Sequence, residues 1–179
     1  GHVSPDGRYV LFTGNMQEDG DPGQAGAPMG LIRLSDAPMI GGESTELRKI
    51  HPHANSGPVL GLPAGWEPCW TATEILSRGA AETPAQNTQA PADREAQRQL
   101  ASEVGPLGWI VFSAHTENGD WDLFLMRPNG TQRRRITNTP EFHEAGARFS
   151  PDGQRLLYYR MPVAEPVDNN TYGTFELVL

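Results

Sequence analysis

The chain has 179 residues and a formal net charge of −8, which argues against nucleic acid or an anionic membrane as its partner. Its 20 glycines and 16 prolines are typical of short strands joined by many turns. Cys69 is the single cysteine, which excludes an intrachain disulfide, and no run of about 18 apolar residues is available to span a membrane.

The first stretch of the chain predicts a turn and the strands of one sheet. Ser4-Pro5-Asp6-Gly7 combines a proline that presets φ, an aspartate that bonds back to the backbone and a glycine that accepts positive φ. The strand Arg8–Thr13 follows. Residues 15–28 predict a solvated loop, because their acidic residues lack the spacing of a calcium-binding loop. Gly30–Leu34 is the next predicted strand, and Glu46–Ile50 is the predicted outer strand.

The following stretch leads into a second sheet. His51 and His53 offer two imidazoles, but Pro52 favours a turn and no third ligand stands at a recognisable spacing. The apolar segment Pro58–Thr71 predicts the first strand of the second sheet.

Residues 72–107 predict an insertion between two strands of this second sheet. Ala80–Ala92 is of low complexity, rich in Ala, Gln, Thr and Pro, and predicts a mobile loop. Asp93–Val104 consists largely of good helix formers and predicts a short helix with Asp93 as its N-cap. The helix has only a thin apolar stripe, which favours a position on the surface.

The stretch from Trp109 to Arg160 predicts an antiparallel meander, since strand-sized runs about ten residues apart are separated by turns such as Asn118-Gly119. On its third strand, Arg133-Arg134-Arg135 predicts an exposed face carrying arginines. After a loop over 161–171, Gly173–Leu179 predicts a final strand. The strands predicted within the meander are Trp109–Ala114, Trp121–Arg127, Thr131–Thr137, Glu144–Ser150 and Arg155–Arg160.

The first turn of the chain recurs near its end. Ser150-Pro151-Asp152-Gly153 leads into an apolar strand, as Ser4-Pro5-Asp6-Gly7 does. Together with Phe149 before the second copy and the preceding block Trp121–Asn138, these turns make the chain resemble the TolB-type β-propeller repeat. That repeat also occurs in the propeller domains of prolyl-oligopeptidase-like enzymes. The resemblance is close over 109–160 and loose over 3–14 and about 30–70.

The resemblance implies an all-β fold built from antiparallel four-stranded blades. We assign 1–71 to the first blade and the start of the second, 72–107 to a flexible insertion, 108–143 to the rest of the second blade and 144–179 to a partial third. A closed propeller needs about four to eight blades of about 42 residues each. We therefore expect an incomplete propeller of about two full blades and part of a third, whose open edges favour a protein partner.

Nothing in the sequence predicts a catalytic, cofactor-binding or metal site. Motifs such as Gly-x-Ser-x-Gly and His-Glu-x-x-His are absent, so we do not expect an enzyme. His115 is expected to be exposed, and His143-Glu144 to lie in a loop. Asp120 and Asp122 flank Trp121, and the alternation of a strand is expected to keep them from serving one ion.

Two functions remain open. The TolB resemblance implies a non-catalytic protein-binding, scaffold or accessory subunit of a larger membrane-associated complex in the bacterial periplasm or cell envelope. The alternative is the gating propeller of a serine peptidase of the prolyl-oligopeptidase type. A small-ligand or carbohydrate sensor is a weaker third option, because no polar–aromatic cluster is visible. Tryptophan dominates interface hot spots, so the candidate partner contacts are Trp66, Trp70, Trp109 and Trp121, each of which is otherwise a core residue of its own blade.

Overall fold

The structure is a computed structural model that describes residues 2–13, 28–36, 59–74, 91–164 and 176–179. These residues form strands, a 3-10 helix at Leu34–Asp36 and an α-helix, α1, at Pro91–Val104. The strands are β1 (His2–Val3), β2 (Tyr9–Thr13), β3 (Pro28–Arg33), β4 (Leu60–Ala64), β5 (Trp66–Thr71), β6 (Trp109–His115), β7 (Trp121–Met126), β8 (Arg134–Arg135), β9 (Phe142–Phe149), β10 (Leu156–Pro162) and β11 (Glu176–Val178).

The strands form three antiparallel sheets, each with its strands in chain order. The first sheet contains β1 to β4, the middle sheet β5 to β8, and the last sheet β9 to β11. The described strands close no barrel. The prediction of an all-β fold made of incomplete, blade-like antiparallel sheets is therefore confirmed.

The middle sheet is buried on both of its faces. Along β6, Ile110 and Phe112 pack toward the first sheet, whereas Trp109 and Val111 pack toward the last. Because successive side chains of a strand point to opposite faces, a strand with two buried faces requires a continuous apolar run. The sequence WIVFSA supplies that run, and the three sheets consequently stack face to face around two cores.

Helix α1 closes the first core. Its Leu100 and Val104 are fully buried there. Glu103 accepts hydrogen bonds from the Arg33 guanidinium at 2.6 and 3.0 Å and from the Tyr9 hydroxyl at 3.3 Å. The bonds from Arg33 lower the pKa of Glu103. The predicted insertion thus contains a helix that is docked on the first sheet.

The start of α1 corrects one prediction. The helix begins at Pro91, so Asp93 lies inside its first turn and is not the N-cap. Proline is favoured at the first helical position, because its fixed φ suits the helix and the backbone N–H that it lacks would have no partner there.

The two Ser-Pro-Asp-Gly turns have the same hydrogen bonds. In each turn the serine hydroxyl donates to the aspartate Oδ1 at 2.5 Å. The glycine amide donates to the serine carbonyl, at 2.9 Å for Gly7 and 2.8 Å for Gly153. Both glycines have positive φ, 73° and 69°. Asp6 and Asp152 therefore occupy equivalent places in the first and last sheets.

Two predicted strands differ in the structure. β8 is only Arg134–Arg135 and not Thr131–Thr137, because Gln132 has a φ of 54° and Thr131 bonds back to Asn129. The segment Pro58–Thr71, predicted as the first strand of the second sheet, contains two strands. β4 is the outer strand of the first sheet, and only β5 belongs to the middle sheet. The predicted outer strand Glu46–Ile50 lies outside the described residues.

Alanine substitutions in the equivalent turns test this geometry. Gly7→Ala places a Cβ in open space, so we expect only the backbone cost of positive φ, about 1 kcal/mol. Gly153→Ala places a Cβ against the Thr73 side chain, so we expect a clearly larger loss. The free energy of unfolding in urea measures both, and equal losses would contradict the described contact with Thr73.

Candidate functional site

Polar side chains concentrate at one end of the middle sheet, beside the turn that joins β6 to β7. Gly119 has a φ of 84°, and the Thr116 amide donates to the Asp120 carbonyl at 2.9 Å. The register pairs His115 with Trp121 directly after this turn. We call this region the turn end of the middle sheet.

Two buried carboxylates share one arginine at the turn end. Asp120 and Asp122 are 1% and 0% exposed. The Arg135 Nε forms an ion pair with Asp122, and its Nη2 lies 3.6 Å from Asp120, which also accepts a hydrogen bond from the Thr116 hydroxyl. The expectation that alternation separates these two aspartates is wrong, because residues two apart along an extended chain face the same side.

Two arginines of the triplet, Arg133 and Arg134, pack on aromatic rings. Arg134 is 8% exposed and its guanidinium lies 5.2 Å from the Trp109 ring centroid, while burial lowers its pKa. Arg133 lies 4.1 Å from the Phe124 ring centroid. The predicted exposed arginine face is therefore wrong, because alternation sends Arg134 toward the last sheet and Arg133 toward the first.

Two histidines flank Trp121 at the turn end. The rings of His115 and His143 meet it edge-on, at centroid distances of 5.3 and 5.9 Å. The Trp121 amide donates to the Nδ1 of His143 at 3.2 Å. His115 is exposed, as predicted, but His143 and Glu144 lie on β9 and not in a loop. The histidine thereby attaches the start of the last sheet to the middle sheet.

The environment of His143 favours its neutral form. Burial lowers the pKa of His143 below 6.5, and the charge of His115 lowers it further, whereas Asp120 raises it. A neutral imidazole is required, because only an unprotonated Nδ1 accepts the Trp121 amide.

A cavity of about 450 Å³ opens beside the turn. Arg133, Arg135, Phe124, His115 and residues 116–118 line it. Its volume is in the range of small-ligand pockets. The sequence shows no such polar–aromatic cluster, because the contributing residues come from a turn and from the unpredicted packing of β8.

The four predicted tryptophan contacts separate into two pairs. Trp70 and Trp109 are 8% and 1% exposed and fill the first and second cores, which leaves little ring surface for a partner. Trp66 and Trp121 are half-buried. The register places Trp66 opposite Ser113 and Trp121 opposite His115, so both lie at the turn end.

Two kinds of feature are not found in the part of the chain that the structure describes. No group of three or more His, Cys, Asp or Glu residues is arranged there to hold a metal ion, and His51 and His53 lie outside that part. None of its helices has the length and apolar character needed to cross a membrane.

No protein-family model, curated protein or solved structure matches the chain. We therefore infer what the turn end and the exposed faces bind from the residues that form them.

Removing the shared arginine tests the buried ion pairs. Arg135→Met leaves Asp122 buried without a cation, so we expect a loss of about 3 kcal/mol in the free energy of unfolding. Arg98→Met breaks an exposed pair with Glu95 and should cost less than about 1 kcal/mol. Urea unfolding compares the two variants. Similar small losses would show that Arg135 does not neutralise the aspartates.

The neutral state of His143 predicts a pH dependence. Because its pKa is lowered on folding, the unfolded chain takes up the proton first when the solution is acidified. The contribution of neutral His143 to the free energy of unfolding is therefore fully present above pH 6.5. It is lost as the pH falls from 6.5 through the lower pKa of His143 in the folded chain. We expect His143→Gln to flatten the fall in melting temperature between about pH 7.5 and 5.5.

His2 also has a pKa lowered by burial, so part of the slope should remain in the His143 variant. An unchanged slope in His143→Gln, measured by circular dichroism at each pH, would contradict the bond to Trp121.

Proposed function

We propose that the chain is a non-catalytic, TolB-like propeller module that serves as a protein-binding or accessory subunit of a larger envelope or membrane-associated complex. The observation that supports this proposal most strongly is the stack of three sheets whose first and last faces are apolar. In the described residues, no further sheet packs on either of these two faces.

The first outer face is the side of the first sheet turned away from the core. Tyr9 and Leu11 point into the first core. Val10 and Phe12 alternate with them along β2 and therefore point to the outer side of the sheet. Val3 pairs with Val10 and is 56% exposed. The Phe12 ring lies across Gly30, where a Cβ would overlap it. Val3, Val10 and Phe12 define this face.

The last outer face is the opposite end of the stack. Leu157 on β10 is 43% exposed and Leu177 on β11 is 69% exposed. Tyr159 stands between them, since it pairs with Leu177. Exposed apolar side chains grouped in this way are characteristic of protein interfaces, so each end of the stack offers a surface that a partner covers.

The turn end offers a second, different kind of surface. Trp66 and Trp121 are both half-buried there, and the Trp121 ring meets the exposed ring of His115 edge-on. Tryptophan rings anchored in this way are frequent hot spots, and the neighbouring charged groups supply a polar rim.

Capture of the native partner tests the proposal. The tagged chain is recovered from the envelope fraction of its native source in mild detergent, and the accompanying proteins are quantified by mass spectrometry. We expect one or more proteins in fixed ratio. A Trp66→Ala, Trp121→Ala variant should retain about a tenth of them or less, since each hot spot contributes about 2 kcal/mol.

Arg98→Ala, on the exposed side of α1, is the matched control and should retain the full amount. Recovery of the chain without any protein at a fixed ratio, or from a fraction other than the envelope, would contradict the proposal.

A further inference from the structure

The equivalent turns place the first and last sheets in a common register. Asp6 corresponds to Asp152, so Val10 corresponds to Leu156 and Leu11 to Leu157. The strand pairing agrees, because Val3 pairs with Val10 and Phe149 pairs with Leu156. Each residue of the first two strands of the first sheet therefore has a counterpart 146 positions later, which is the separation between Asp6 and Asp152.

The first outer face is the counterpart of a face that is covered elsewhere in the molecule. Phe149, Leu156 and Tyr158 pack against the middle sheet in the second core. Their counterparts are Val3, Val10 and Phe12, the residues of the first outer face. The first sheet thus presents outward the same kind of surface with which the last sheet packs on its neighbour.

The last outer face is the counterpart of the inner face of the first sheet, which the first core covers. Leu157 corresponds to Leu11, which is 0% exposed in the first core. Tyr159 pairs with Leu177 as Thr13 pairs with Met29, so Leu177 corresponds to Met29, which is 2% exposed. In the first sheet these positions contact the next sheet along the chain. The last sheet presents them to solvent.

The two outer faces are therefore the two halves of one sheet-to-sheet junction that the chain already forms twice. We propose that a second copy of this chain completes that junction, with the last outer face of each copy packed on the first outer face of the other. The inference rests on the proposed function, since it names the protein that covers the open stack. The described residues form three sheets, so two copies supply six of them, a number within the range of about four to eight found in closed propellers.

The inner edges of the sheets have the arrangement that ring closure requires. The first strands β1 and β9 both pack beside β5. The Tyr159 hydroxyl donates to the Glu67 carboxylate on β5 at 3.3 Å, and burial together with Glu67 raises the pKa of Tyr159 to about 12. First strands gathered along one line give the stack a common axis. A head-to-tail junction repeated about such an axis closes into a ring.

The assembly state of the intact chain tests the inference. We expect light scattering after size exclusion to give twice the 19.5 kDa mass of one chain. Val3→Glu on the first outer face and Leu157→Glu on the last should each weaken dimerisation at least tenfold. These side chains are 56% and 43% exposed in the single chain, so the variants should fold, as circular dichroism and urea unfolding will verify.

Ile136→Glu is the matched control. Ile136 is 36% exposed on the middle sheet, outside both outer faces, so this variant should remain a dimer. Mixing Val3→Glu with Leu157→Glu should restore part of the dimer, because the mixed pair retains one native junction. A dimer that survives Leu157→Glu joins first face to first face and overturns the inference, as does a mass that rises without limit with concentration.

If the parent chain is monomeric, the inference is overturned. The capture experiment then decides whether the proposed function is overturned as well. If another protein accompanies the monomer in fixed ratio and leaves it when Val3 or Leu157 is replaced, the outer faces take a different partner and the proposed function stands. If no protein accompanies it, both proposals fail.

Discussion

The pleat of a β-strand sends successive side chains to opposite faces, and the middle sheet uses both faces to bury apolar groups. Phe112 and Val111 are neighbours in sequence, yet they belong to different cores, and both are fully buried. The first and last sheets each have one face that depends on this arrangement. A polar residue at any of these positions in β6 or β7 would face a core, so the alternation of two strands determines the packing of the whole stack.

The same alternation explains why the polar groups gather at the turn end. Asp122 and Asp120 are two residues apart, so both face the same side, and both enter the interior with Arg135 as their cation. Buried carboxylates are tolerated only when they are paired and hydrogen-bonded. The turn end is therefore held by charge where the rest of the middle sheet is held by apolar contact, and the half-buried Trp121 lies at the boundary.

Sequence reasoning predicted the elements that local chemistry determines. The turns at Gly7 and Gly153, the strands of the meander and the helix ending at Val104 all follow from short-range patterns. It did not predict the burial of Arg134 or the sharing of Arg135, because both depend on how β8 packs beside residues that are distant in sequence. The length of β8 was also missed, since the positive φ of Gln132 is unusual for a residue other than glycine. Of the four tryptophans, only the fold distinguishes those in a core from those near the surface.

Helix α1 also affects how the chain is made. Leu62, on the outer strand of the first sheet, is synthesised well before Leu100, which covers the same core. At a ribosomal rate of about 5–20 residues per second, the inner face of the first sheet remains uncovered by helix α1 and by the middle sheet for several seconds. During that interval its apolar residues are accessible to chaperones and to other nascent chains. The long connection between β5 and β6 thus delays the burial of this face during synthesis, an effect that the final fold does not show.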